Sequence, residues 1–158
     1  LDVDYEVFLS EARTGYKNRA IIYLMRSNGI IEGSCEEHLE LYFLLCSLAC
    51  TCRDLAMFAA TLANDGISPS TGERLIPLRT VKLVRSLMVT CGMYDYSGEF
   101  AATVGMPSKS GVGGGIISCP IGRYGICVYG PALDEKGNST GGLKMLEYLS
   151  ENMDLNMF

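Results

Sequence analysis

Tryptophan is absent from this 158-residue sequence, and histidine occurs once, as His38. A single imidazole leaves almost no material for a histidine-built metal centre. No C-x-x-C pair occurs among the seven cysteines (35, 46, 50, 52, 91, 119 and 127), so there is no zinc-ribbon or thioredoxin-like signature. Cys50-Thr-Cys52 has no second pair to complete a metal site. The cysteine number is odd and most of them lie in apolar segments, which reads as free, buried thiols in a reducing cytoplasm. Long apolar runs are also missing. The longest candidate, around Leu41 to Ala49, falls far short of the ~18 residues a membrane span needs. Positive charge is not in excess: the net charge is −5 and the pI about 4.9. That balance argues against a nucleic-acid or anionic-membrane surface. The first residues, LDVDYEV, lack the basic start and apolar run of a signal peptide. They also lack an initiator Met, and the expectation is an internal start.

What is present suits one folded domain portion. Hydrophobic residues make up 48% of the chain, enough for a core at this length. Helical patterning is expected over residues 3–13, with Phe8 and Leu9 as contacts, and over 18–27, with Ile21, Ile22, Leu24 and Met25 buried. A third helix starts at the Ser34-Cys35-Glu36-Glu37 capping signature and runs to about Ala49 through Leu39, Tyr42, Phe43, Leu45 and Cys46. Thr51-Cys52-Arg53-Asp54 starts a fourth, nearly all apolar. Pro77 opens a fifth, with Val81, Val84, Leu87 and Met88 inward and Lys82 and Arg85 solvated. A short helix from Ser97 to Val104 precedes two strand-like runs, Ser108–Cys119 and Gly125–Tyr129, spaced as an antiparallel hairpin. A last amphipathic helix spans about Ser139–Asn152. The order is α+β: residues 1–107 are mainly helical, and 108–158 hold the strand hairpin and C-terminal helix. A two-stranded hairpin is not a stable sheet alone, so further strands are expected from elsewhere.

The chemistry concentrates between Cys91 and Gly115, CGMYDYSGEFAATVGMPSKSGVGGG. It holds Tyr94 and Tyr96, the triad Lys109-Ser110-Gly111, and glycines 113–115 leading into a strand. Glycines on a strand mark close approach of backbone or ligand. A Lys-Ser-Gly step offers a cation beside outward backbone N–H groups, which suits a carboxylate or a developing oxyanion. K-[ST]-G is one mark of serine β-lactamases and penicillin-binding proteins. Ser110 is discounted as a nucleophile because no base stands at a spacing that would activate it. His38, on a charged helix start, is expected to be exposed and idle.

The chain resembles the serine-dependent glutaminases, which share the β-lactamase and penicillin-binding-protein fold. SEARTGYKNRA (10–20), LELYFLLCSLACTC (39–52), AATLANDGISPSTGER (59–74), LMVTCGMYDYSGEFAATVGMPSKSGVGGGI (87–116) and GPALDEKGNSTGG (130–142) carry the resemblance. It implies a helical cluster, C-terminal strands of an antiparallel sheet and a C-terminal helix. The family's S-x-x-K nucleophile motif occurs nowhere in these residues. The chain therefore looks like the C-terminal half of a longer enzyme whose nucleophile and remaining strands lie upstream.

The resemblance implies hydrolysis of L-glutamine to L-glutamate and ammonia through an acyl-serine, without cofactor or metal, in a cytoplasmic dimer or tetramer. It places Glu11 on the substrate's α-ammonium and Asn18 on its α-carboxylate, in the right charge sense. By themselves these residues read as a solvated helix-end glutamate and an N-cap asparagine. Tyr42, otherwise a core tyrosine with its hydroxyl at the rim, is brought to the substrate carboxylate or catalytic centre. Tyr94 is assigned the nucleophile's proton, a neighbouring lysine ammonium being expected to lower its pKa from about 10. Tyr96 reads as structural. Lys109 matches the K-[ST]-G lysine, and the Val112 N–H the oxyanion hole. Two alternatives stand beside this reading. One is a non-catalytic fragment or homologue on the same scaffold. The other is a penicillin-binding or β-lactamase-like hydrolase, against which the Glu11, Asn18 and Tyr42 set argues by suiting an amino-acid head group.

Overall fold

A computed structural model describes all residues, Leu1–Phe158. The chain divides into two compact units, Leu1–Cys50 and Thr51–Phe158.

The first unit begins with β1 (Asp2–Val3), paired antiparallel to β2 (Leu48–Ala49). Between them run α1 (Tyr5–Thr14), α2 (Tyr16–Ser27) and α3 (Cys35–Cys46). Asp4 starts α1 by accepting from the N–H groups of Glu6 and Val7 at 3.0 and 3.1 Å, and Ser34 starts α3 by accepting from Glu37 N at 3.3 Å. The core is small: Cys35, Leu39 and Phe43 of α3 are buried, while α1 and α2 bury no residue fully. This corrects the expected inward side of α2. Ile21 and Leu24 are 56% and 64% exposed, because their apolar stripe is wider than the surface α3 offers. Leu9, Tyr42, Leu45 and Cys46 are likewise exposed.

The second unit is built on a three-stranded antiparallel sheet, β3 (Ser108–Ser110), β4 (Gly115–Ser118) and β5 (Ile126–Tyr129), in that order. The expected single strand over 108–119 is therefore two strands. The chain reverses at 111–114, where Gly114 has φ +94° and Gly111 N–H donates to Gly115 O at 2.9 Å. A side chain at 114 would also meet Gly130 O at 2.6 Å, so this glycine serves the turn itself. Side chains alternate across the sheet. Ile116 and its cross-strand partner Val128 join Met93, Phe100, Val104, Met106, Leu146 and Leu155 in one core. Cys119, with Ile117 packed alongside, joins Ala59, Leu62, Ala63, Val81 and Met88 in the other. Helices α6 (Ser97–Thr103) and α7 (Thr140–Met153) supply the first layer, and α4 (Cys52–Ala63) and α5 (Leu78–Cys91) the second. Thr51 and Asp54 complete the expected reciprocal capping box of α4.

Arg85 is not solvated. It is buried, donating from Nη1 to Asp65 Oδ1 at 2.9 Å and from Nη2 to the carbonyls of Leu62 and Ala63. Those are terminal carbonyls of α4 with no intrahelical partner, at the negative end of the helix dipole. A guanidinium from α5 satisfies them, whereas Leu87, expected inward, is 51% exposed. Arg85→Ala leaves the buried Leu62 carbonyl unpaired at about 1–3 kcal/mol, whereas Ala63 O keeps the Gly122 N–H at 2.9 Å. The expected result is a loss of roughly 1–3 kcal/mol, read as a shifted denaturant midpoint with unchanged slope. A midpoint equal to the parent's would show the arginine to be dispensable.

The thiols also depart from expectation. All seven are free, but only Cys35 and Cys119 are buried, while Cys46, Cys50, Cys52 and Cys91 are exposed. Burial pushes the Cys119 thiol up to about 11, so it behaves as an apolar side chain. No helix is long and apolar enough to cross a membrane.

Candidate active site

Two sets of residues bear on function, one in each unit. In the first, Glu11 near the end of α1 and Asn18 at the start of α2 flank the junction at Gly15. The chain can bend there because Gly15 lies on the Phe43 ring; a Cβ would fall 2.6 Å from Phe43 Cζ. The bend is held by Gly15 N–H donating to Glu11 O at 2.8 Å, by Arg19 Nη2 donating to Ala12 O at 2.6 Å, and by the Arg19 guanidinium over the Phe43 ring. Both Glu11 and Asn18 are half-buried, and neither side chain is spent on an internal hydrogen bond or ion pair. Tyr42 is 48% exposed, its ring edge-on to Phe43 at 5.8 Å. One aromatic residue thus supports both the bend and Tyr42. His38 is exposed and its Nε2 lies 2.7 Å from Glu32 O.

In the second unit, Tyr94, Lys109 and Val112 converge. A helix-to-strand contact creates the arrangement: Ser110 N–H donates to Gly92 O at 2.9 Å, and a Cβ on Gly92 would lie 1.9 Å from Ser108 O. Only glycine lets the end of α5 meet β3 this closely. Tyr94 opens a 3-10 turn (Tyr94–Tyr96) with φ +54°, a left-handed conformation that costs a non-glycine residue about 1–3 kcal/mol. Its hydroxyl donates to Ser110 O at 3.2 Å, and Lys109 Nζ donates to the same carbonyl. The lysine ammonium lies 4.9 Å from the centre of the Tyr94 ring. Val112 exposes 70% of its surface and makes a backbone hydrogen bond to the phenol.

The electrostatics correct one expectation. Burial raises the Tyr94 pKa above the ordinary phenol value, and the Val112 bond only partly offsets it. Lys109 does not lower it, because the ammonium faces the ring and the Ser110 carbonyl. Tyr94 is therefore a phenol at neutral pH. Lys109 loses hydration on the strand, which lowers its pKa against a weaker opposing effect of Cys91. Tyr96 packs against the core, 6.2 Å from Phe100. Ser110 Oγ is buried without a partner and has no neighbouring base among its hydrogen bonds, in keeping with its dismissal as a nucleophile. No three His, Cys, Asp or Glu side chains cluster to hold a metal. Sequence reasoning missed Ser97 and Asn138, which hold the backbone on either side of Tyr94; Asn138 is 45 residues from its partner Met93, and no local pattern marks it.

A K-S-G hairpin layered between helices, with a tyrosine phenol at its turn, defines the β-lactamase-like α+β class. Comparison with known proteins narrows this. The family model described as Glutaminase matches residues 1–158. Glutaminases of Clostridium botulinum (strain Hall) and Clostridium tetani are 53% and 55% identical over the whole chain. In each case the chain spans 52% of the relative's length. A Bacillus subtilis glutaminase, YbgJ, in a covalent complex with 5-oxo-L-norleucine formed by reaction with 6-diazo-5-oxo-L-norleucine, superimposes with TM-score 0.94 at 41% identity. That match covers 99% of this chain and 56% of the other. The native form of Mglu gives 0.96 at 41% identity, covering 100% and 38%. The chain belongs to the glutaminase family.

Proposed function

We propose that this chain supplies the substrate-binding and proton-relay part of an enzyme hydrolysing L-glutamine to L-glutamate and ammonia through an acyl-serine. The observation that carries the reading is the convergence of Tyr94, Lys109 and Val112 in a member of this family. In the cycle, the serine hydroxyl attacks the γ-carboxamide carbon. The serine proton passes through Tyr94 to the departing ammonia, and water then releases glutamate. Tyr94, a phenol at rest, donates one proton as it takes another. Lys109 holds positive charge beside it, and the Val112 N–H steadies the oxyanion. Glu11 receives the α-ammonium, and Asn18 and Tyr42 the α-carboxylate. The serine and its lysine come from outside these residues, in a homo-oligomeric, cytoplasmic enzyme.

The relative trapped by 6-diazo-5-oxo-L-norleucine supplies the test. Treating the whole enzyme with that reagent and mapping the adduct by peptide mass spectrometry should place it on a serine outside residues 1–158. An adduct on Ser110, or on any residue of this chain, would overturn the reading. Glu11→Gln keeps the shape but removes a charge-assisted hydrogen bond of roughly 1.5–3 kcal/mol. The expected result is a fall in kcat/KM of about 10–150-fold with an unchanged melting temperature. Parent-like kcat/KM would make Glu11 an ordinary surface carboxylate.

A further inference from the structure

We infer that Asn138 and Ser97 are positioning residues that hold Tyr94 in its left-handed backbone conformation and so aim its phenol at the Lys109–Val112 turn; the inference rests on the relay reading above. Tyr94 is pinned through the peptide groups on both of its sides. On one side, Met93 O accepts from Tyr96 N–H at 3.1 Å and from Asn138 Nδ2 at 3.3 Å. On the other, Tyr94 O accepts from Ser97 Oγ at 2.7 Å, and the same hydroxyl accepts from Met93 N–H at 3.0 Å. Asn138 has no solvent exposure and Ser97 is 5% exposed, so neither polar group is there for solubility.

Asn138 is itself delivered by a built loop. Asp134 Oδ1 accepts from the N–H groups of Lys136 and Asn138 at 2.9 and 2.8 Å, and Asp134 N–H donates to Asn138 O at 2.8 Å. The loop also touches what it positions: a Cβ on Gly137 would lie 3.6 Å from Tyr94 Cε2 and 3.9 Å from Val112 Cγ1. Lys136 Nζ lies over the Tyr96 ring at 4.7 Å. An unfavourable φ persists only where its surroundings over-determine it, and these bonds do so. Without them Tyr94 relaxes to an ordinary φ and its hydroxyl swings off the turn.

A double-mutant cycle tests this. In the whole enzyme, Asn138→Ala and Ser97→Ala should each lower kcat about 10–100-fold, the cost of a misplaced reacting group, with KM for glutamine changed less than about threefold. In the Tyr94→Phe background, the same substitutions should lower kcat by less than about threefold, since the group they position is gone. A merely structural role predicts equal losses in both backgrounds, and that result overturns the inference. So does a kcat within about twofold of the parent for both variants. If Asn138→Ala fails to fold, Ser97→Ala carries the cycle alone. Failure of the relay reading has a separate signature: Tyr94→Phe by itself leaves kcat near the parent's, which removes the basis of both statements.

Discussion

Tyr94→Phe is expected to lower kcat of the whole enzyme roughly 10²–10⁴-fold, the contribution of a positioned proton-transfer group. The substitution keeps the ring, its contact with Lys109 and its left-handed backbone, and deletes one hydroxyl whose partners are the Ser110 carbonyl and the Val112 backbone. The relay acts in the transition state, so kcat should fall at least as much as KM changes. The melting temperature should move little, because Tyr94 is 36% exposed and the lost hydrogen bond is a partly solvated one. Tyr96→Phe is the control and should stay near the parent. The pH dependence follows from the raised phenol pKa. A raised value favours the protonated form in the fold, so its contribution is intact through neutral pH. It is lost only as pH rises through a value above the ordinary ~10. The variant should therefore lose an alkaline limb that lies above that of free tyrosine. Retention of more than about a tenth of kcat would reassign Tyr94 as a packing residue.

The second large effect concerns the 158 residues by themselves. Purified as Leu1–Phe158, they should release no ammonia from glutamine above buffer, since an acyl-enzyme needs a nucleophile with a base beside it and no S-x-x-K occurs among them. Adding the remainder of the enzyme, for instance the N-terminal half of the 53%-identical Clostridium botulinum relative fused ahead of Leu1, should restore turnover. Ammonia release by the isolated residues would place the nucleophile within them and sink the scheme. Exposed apolar side chains on α2, α3 and α5, such as Leu24, Leu45 and Leu83, predict concentration-dependent association of the isolated residues by light scattering. A monodisperse monomer at high concentration would contradict that.

Much of this protein was legible in its residues. Capping chemistry is local, so Ser34 and Thr51 announced α3 and α4, and amphipathic spacing found α7. The family strings, above all CGMYDYSGEF with KSGVGGG, pointed to the relatives later matched along the whole chain. Residue type could not say which side of a helix finds a partner. Arg85 looked solvated until the open carbonyls at the end of α4 gave its charge somewhere to go, and Ile21 and Leu24 looked buried although α3 offers them no surface. Nor could it divide the 108–119 run, whose apolar and glycine pattern fits one strand or two until Gly114 meets Gly130. The pKa of Tyr94 is likewise tertiary. Sequence places a lysine in the same segment, but only the packed turn puts the ammonium on the ring face, leaving burial to decide the direction. Short-range bonding writes itself into neighbouring residues; desolvation and contacts such as Asn138 to Met93, 45 residues apart, exist only once the chain has closed on itself.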